Sequence, residues 1–348
     1  MKNYCMIMHQ PGKFIKKEIE MPTPQADQVV VKIEYCGICG SDMHFFTDGR
    51  IGNRQAPPNF ILGHESAGTV IEVGENVESL KVGDRVALEP GVPCGHCEMC
   101  RKGLYNLCPD VHFLAAAKPA TNGALRNYLA YPAEWCFRLP RNVSGIEGTL
   151  VEPLSVGMHA ARRGAVALGK TVLIIGVGTI GYMTMLSCRA MGASRIIVSD
   201  ALENRLNLAL QHGADYTINV KKEDAVSRVM EITNGEGADV VFETAGSPFT
   251  LRSAWQYVKT AGVIVNVGNA SGDITFPFGE LERKEVDIRS VWRYRHIYPI
   301  AIEAIANGRI DVKHINPTVF PFDQSQEAFE YAVNKKSEVL KTVIRVTE

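Results

Sequence analysis

Thr171-Val172-Leu173-Ile174-Ile175-Gly176-Val177-Gly178-Thr179-Ile180-Gly181 runs an unbroken strand-forming stretch straight into a glycine turn. A short apolar run of this kind reads as a parallel strand covered on both faces. The glycines have GxGxxG spacing, 182–191 reads as a helix stopped by Gly192, and Arg195-Ile196-Ile197-Val198-Ser199-Asp200 reads as the next strand. In a strand, glycine turn, helix, strand unit each glycine has a physical role. Gly176 makes the tight turn, Gly178 lets backbone approach a pyrophosphate, and Gly181 lets helix pack on strand. The diphosphate charge then rests on the helix N-terminus. Asp200, nineteen positions after Gly181, offers a carboxylate to an adenosine ribose. That carboxylate repels a 2′-phosphate, and Ala201 and Leu202 place no cation immediately beside it, which favours NAD over NADP.

Downstream the pattern repeats: 203–211 is helical, and 216–220, 239–243, 262–267 and 287–291 read as further strands. These predict a doubly wound parallel sheet over 153–293. Upstream, 29–35, 67–74 and 84–88 are short β-type runs broken by Gly, Pro, Asn and Asp, the text of a β-rich domain. A helical passage over 147–163 leads out of it. Helical stretches at 299–307 and 324–335 and a strand at 342–346 return the chain to it, so the expected α/β fold has a catalytic domain of 1–152 plus 294–348.

The 348 residues suffice for two cores at roughly 100–200 residues each. Hydrophobic residues at 46% and charged residues at 22% exclude a disordered or collagen-like chain. With Lys+Arg 37 against Asp+Glu 38, the chain lacks the basic excess of a nucleic-acid binder and points to a small-molecule partner. No apolar run approaches the roughly 18 residues of a membrane span, and the N-terminus lacks a secretory pattern, so a cytoplasmic protein is expected. In a reducing compartment, nine cysteines serve as ligands, catalytic groups or core filler rather than as disulfides.

Four of them cluster at Cys94, Cys97, Cys100 and Cys108. Four thiolates on short spacings wrap a tetrahedral zinc with no open position, which makes the site structural. Two net negative charges remain, to be offset by backbone N–H groups and by Arg101 and Lys102. A redox CxxC is the rival, but such motifs open a helix in a thioredoxin-like unit, whereas this loop is punctuated by Gly and Pro. Cys39, His64, Glu65 and Glu152 remain, each ambiguous alone.

Their flanks carry more. Cys36-Gly37-Ile38-Cys39-Gly40-Ser41-Asp42-Met43-His44 and Gly63-His64-Glu65-Ser66-Ala67-Gly68, the latter continuing through Gly74 and Val77, resemble the zinc signatures of the medium-chain dehydrogenase superfamily. Met43 to Gly52, Leu150 to Ala160 and Val291-Trp292-Arg293-Tyr294 resemble its polyol branch, the sorbitol and xylitol dehydrogenases. The resemblance covers essentially the whole chain and implies a GroES-like catalytic domain, two zinc ions, NAD, and a homo-oligomer, dimer or tetramer. By motif, it implies that Cys39, His64 and Glu65 ligate a catalytic zinc, with Glu152 reaching the metal directly or through its water. Ile180, Asp200, Arg205, Val267 and the Val291 to Arg293 backbone would line the NAD site. Arg293 and Tyr294 would face the substrate hydroxyls. Phe45 stands where the branch has tyrosine, which bears on the choice of polyol.

The chemistry needs these residue types. A free alcohol ionises only near pKa ~16, and a metal that brings it to about 7 supplies roughly 12 kcal/mol. One thiolate with imidazole and carboxylate leaves more Lewis acidity than four thiolates. Ser41 can hydrogen-bond the reacting hydroxyl, and His44 or Glu152 can pass its proton to solvent, although His44 also reads as a plain surface histidine. The resemblance thus implies interconversion of a linear sugar alcohol and a ketose. Threonine, a polyol phosphate, a simple secondary alcohol, or an NAD-binding role without catalysis are the alternatives. Arg293 and Arg295 suit either a hydroxyl or a phosphate.

Overall fold

The computed structural model describes residues 1–270 and 272–347. They form two compact units: Met1–Glu152 with Tyr298–Ala306 and Ile315–Glu348, and Pro153–Ile297 with Asn307–His314.

The first unit is built on a seven-stranded sheet in which Gln28–Gly37 is central. It pairs antiparallel with Glu65–Val73, Tyr128–Pro132 and Thr342–Arg345, and the last of these runs parallel to Thr318–Pro321. Val29, Val31 and Ile33 are fully buried in the core of this unit, as the alternation of the strand requires. A second small sheet joins Asn3–Gln10 to Lys13–Ile19 and Phe60–Ile61. The sequence reading missed this N-terminal hairpin. Its outer strand, with lysines at 13, 16 and 17, lacks a clean apolar period.

The second unit is a six-stranded, all-parallel sheet. Its strands are Thr171–Ile175, Arg195–Asp200, Tyr216–Asn219, Ala238–Glu243, Val258–Asn266 and Asp287–Ser290. In register, Ile175 lies beside Glu243, Glu243 beside Asn266, and Asn266 beside Ser290. The residues that follow these strand ends therefore share one edge of the sheet, where open α/β sheets bind ligands.

The division departs from the expected boundaries at the C-terminal side: 294–297 and 307–314 belong to the second unit. Side-chain packing accounts for this. Arg295 and His296 line a cavity with His159, Arg162 and Arg163, and the His314 ring stacks on His212 at 3.7 Å. The passage expected at 147–163 is the Gly145–Arg163 helix, which contains Pro153.

Candidate active site

Sheet register in the first unit sets one cluster. Glu65 opens its strand directly opposite Gly37, and Val343 lies on the other side of Gly37. A Cβ at Gly37 would overlap the Glu65 carboxylate, so glycine is what lets that side chain lie across the strand. Cys39, two residues on, caps the Gly40–Asp48 helix. Cys39, His64 and Glu65 each direct one ligand atom to within 4.8 Å of the others. His64 and Glu65 are buried and Cys39 is half-buried. Thiolate, imidazole and carboxylate at that spacing fit a zinc ion.

Asp42 orients the set. Its Oδ2 accepts from Cys39 N at 3.1 Å, its Oδ1 accepts from Gly63 N at 3.2 Å, and His64 Nδ1 lies 3.6 Å from Oδ1. One buried carboxylate thus ties the turn bearing Cys39 to the turn bearing His64. With Nδ1 turned to Asp42, the other ring nitrogen is left as the donor. Burial opposes charge on His64, but Asp42 and Cys39 outweigh it and hold the imidazole well above the usual histidine range.

Lys341 is the second residue the motifs did not reveal. It is 4% exposed, ion-paired with Glu65, and its Nζ donates to the Ile38 carbonyl at 2.9 Å. Burial works against its charge, but Glu65, Cys39 and Glu152 together keep it above the ordinary lysine range. Losing one partner of such a buried pair costs roughly 3–5 kcal/mol. Glu89 is the third, 2% exposed and accepting from Tyr105 Oη at 2.8 Å. Burial, with the Glu152 charge adding, pushes its carboxyl up to about 7 against that hydrogen bond. A lone carboxylate ending the apolar run Val86-Ala87-Leu88 was the available signal.

Glu152, on the Gly145–Arg163 helix, is 5% exposed and is not one of the three converging donors, although its charge acts on both Lys341 and Glu89. Ser41 is half-buried in the first turn after Cys39. His44 is exposed on the same helix and lies 3.6 Å from Asp48. Phe45 is 3% exposed and meets Phe60 edge-on at 5.4 Å, as a core residue does.

The second cluster brings the sulfurs of Cys94, Cys97, Cys100 and Cys108 within 4.8 Å of one another. Backbone N–H groups of Cys94, Cys97 and Cys100 each point at a cluster sulfur at 3.4 Å. A backbone hydrogen bond from His96 leads the effects that bring Cys94 down to about 6, a thiolate near neutral pH. The set fits a closed zinc site. The expected backbone N–H groups are thus at the sulfurs, whereas Lys102, expected with them, pairs with Glu98 at 2.6 Å. Within the loop Cys97 caps a single helical turn, Glu98–Arg101.

In the second unit the glycine turn has the geometry of a phosphate cradle. Gly176 takes φ +87°, and at Gly181 a Cβ would overlap the Gly176 carbonyl oxygen. At Gly178 a Cβ would meet only Arg205 Nη1, at 3.7 Å, which leaves room for a ligand. The Thr179–Ala190 helix that follows has no side-chain cap at Gly178, and its N-terminal end is the kind that favours an anion. Asp200 accepts from Val177 N at 2.7 Å and from Leu202 N at 2.9 Å. A cation does stand beside it after all: Arg205 Nη1 lies 3.8 Å from Asp200 Oδ2, brought there by the first turn of the Glu203–His212 helix. Val267 and Val291 follow adjacent strand ends, with Val267 N donating to the Glu243 carbonyl and Val291 N to the Asn266 carbonyl. Arg293 takes φ +56° with its guanidinium over the Trp292 ring, and Tyr294 is buried beside it in sequence.

A family model described as an alcohol dehydrogenase GroES-like domain matches residues 25–141, and one described as a zinc-binding dehydrogenase matches 179–307. The chain belongs to the zinc-binding dehydrogenase family. Its relatives include an uncharacterized zinc-type alcohol dehydrogenase-like protein of Escherichia coli, 46% identical over 100% of both chains. Sorbitol dehydrogenase of Bacillus subtilis is 42% identical over 97% of this chain and 96% of its own. Among solved structures, L-idonate 5-dehydrogenase of Escherichia coli superimposes with a TM-score of 0.91 at 29% identity, covering 99% and 98%. This dehydrogenase is of the polyol branch and works with zinc and NAD. Among the described residues, no helix is long and apolar enough to cross a membrane.

Proposed function

We propose that this dehydrogenase oxidises one secondary hydroxyl of a linear polyol to a ketone, with NAD preferred over NADP. The observation that carries the reading is the convergence of one thiolate, one imidazole and one carboxylate at Cys39, His64 and Glu65. That set retains Lewis acidity that the four-sulfur lobe lacks. The 42% identity to a sorbitol dehydrogenase supports the substrate class. When bound, zinc polarises the alcohol oxygen and NAD accepts the hydride from carbon. The remaining work falls to side chains. Ser41 hydrogen-bonds the reacting hydroxyl and Glu152 takes its proton toward solvent, while Arg293 and Tyr294 hold the neighbouring hydroxyls. His44, exposed and paired with Asp48, is assigned no part in proton transfer. Phe45 offers no hydroxyl to the substrate and acts through packing.

The test is a substrate panel of linear polyols, polyol phosphates, threonine and butanediol, followed by NADH absorbance. The highest kcat/KM is expected with a polyol or its phosphate. A higher value with threonine or butanediol overturns the assignment.

A further inference from the structure

Away from the glycine turn, the second unit concentrates positive charge around a separate cavity. Six residues line about 250 Å³: His159, Arg162, Arg163, Arg289, Arg295 and His296. No carboxylate is among them. Arg162 and Arg163, the last two residues of the Gly145–Arg163 helix, are held by carbonyls rather than by acids. Arg162 Nη1 donates to the His296 carbonyl and Arg163 Nε to the Ser290 carbonyl, both at 3.3 Å. Arg289 Nη1 donates to the Arg163 carbonyl at 2.8 Å while its Nη2 pairs with the exposed Asp287. These bonds aim the guanidiniums without neutralising Arg162 or Arg163. Like charges gathered on low-dielectric walls repel one another and focus an attractive field on an anion.

A second observation lies in the wall of the same cavity. His159 is 4% exposed, and its Nδ1 has no hydrogen-bond partner among the described residues. A buried imidazole nitrogen left unpaired is costly unless a ligand completes it. Burial first, then Arg295, Arg163 and Arg162, holds this imidazole down to about 4, so near neutral pH it is uncharged and can hydrogen-bond an oxyanion.

We propose that this cavity is an anion site for a phosphate-class ligand, either free phosphate or the phosphate ester of a substrate. Planar guanidinium forks match the paired oxygens of such a group. The volume lies below the roughly 300 Å³ at which drug-sized ligand sites begin, so the site takes a head group rather than a whole dinucleotide. None of its lining residues belongs to the Gly176–Gly181 turn, and the proposal does not depend on the polyol assignment.

Calorimetric titration of the zinc-loaded, NAD-saturated enzyme with inorganic phosphate tests it. One phosphate per chain is expected at a Kd of about 1 mM or tighter. Arg162→Gln and Arg163→Gln should each weaken it by about tenfold or more, with NAD affinity unchanged. Nuclear magnetic resonance of the histidine ring nitrogens supplies a readout that needs no variant: phosphate should shift the His159 signal. Turnover then separates the two sources. A substrate ester is indicated if phosphate competes with a polyol phosphate and Arg162→Gln raises KM for that ester but not for the free polyol. Free phosphate is indicated if it changes turnover without competing. The proposal is overturned by the absence of both heat and a His159 shift at concentrations about tenfold higher, or by phosphate binding that both variants leave intact. Variants that dissociate an oligomer without affecting phosphate also overturn it, because a carboxylate of a second copy then neutralises the cluster.

Discussion

Asp200 is engaged from three sides: the N–H groups of Val177 and Leu202 on its two oxygens, and the Arg205 guanidinium 3.8 Å away. Its carboxylate therefore organises the turn, apart from the ribose contact proposed for it, and truncation to alanine would strand two amides. Asp200→Asn keeps an acceptor while removing the charge that repels a 2′-phosphate and that faces the Arg205 guanidinium. The ratio of kcat/KM for NADP to that for NAD should rise by about tenfold or more, roughly 1.4 kcal/mol; an unchanged ratio would show that Asp200 does not set cofactor choice. His159 makes a separate prediction about stability. Its folded pKa is held at about 4, below the ordinary 6.5, by burial and then by Arg295, Arg163 and Arg162. Between those values the unfolded chain binds a proton that the folded chain refuses. The stabilisation is complete above pH 6.5 and is lost as pH falls toward 4, by at most about 3 kcal/mol. Denaturant unfolding across that window should be less steeply pH-dependent in His159→Gln, and parallel curves for the two proteins would refute the assignment.

Among the elements, the glycine turn is where local text and structure agree most closely. GxGxxG after a buried strand is legible because all its constraints act within eleven residues. At Gly181 the constraint is steric, since a side chain there would overlap the Gly176 carbonyl and press on Thr244 Oγ1 at 2.7 Å. Gly181→Ala should cost about 1–3 kcal/mol of stability and weaken NAD binding together, measured by thermal unfolding and by cofactor titration; normal NAD affinity in a folded variant would mean that the close approach is not needed. The four-cysteine lobe was legible for the same reason of short spacing. Its charge compensation was legible in part: the expected backbone N–H groups do point at the sulfurs, while Lys102, expected beside them, makes an i,i+4 contact with Glu98 on the single turn capped by Cys97.

For the molecule as a whole, two metal sites of different construction imply different lability. Zinc at Cys39, His64 and Glu65 would have one thiolate and a position left for water or substrate, whereas the lobe offers four thiolates that close on an ion, although three of its cysteines are themselves half-buried. During timed chelation, activity and one zinc per chain should be lost together while the second zinc stays bound, as followed by metal analysis. A fully active enzyme holding only the lobe zinc would exclude the first set from catalysis. The primary structure by itself determined the glycine turn, the parallel strands of the second unit and the lobe, because each depends on spacing within a few turns or one strand. Tertiary structure alone decided which distant residues meet. Register across Gln28–Gly37 seats Glu65 on one side and the segment after Lys341 on the other, so a lysine over 270 positions away pairs with that carboxylate. Asp42 between Cys39 and His64, Arg205 against Asp200, and the arginines gathered around His159 arise in the same way. They follow from how strands and helices register and pack, and a period of two or 3.6 residues read along the chain carries no record of that.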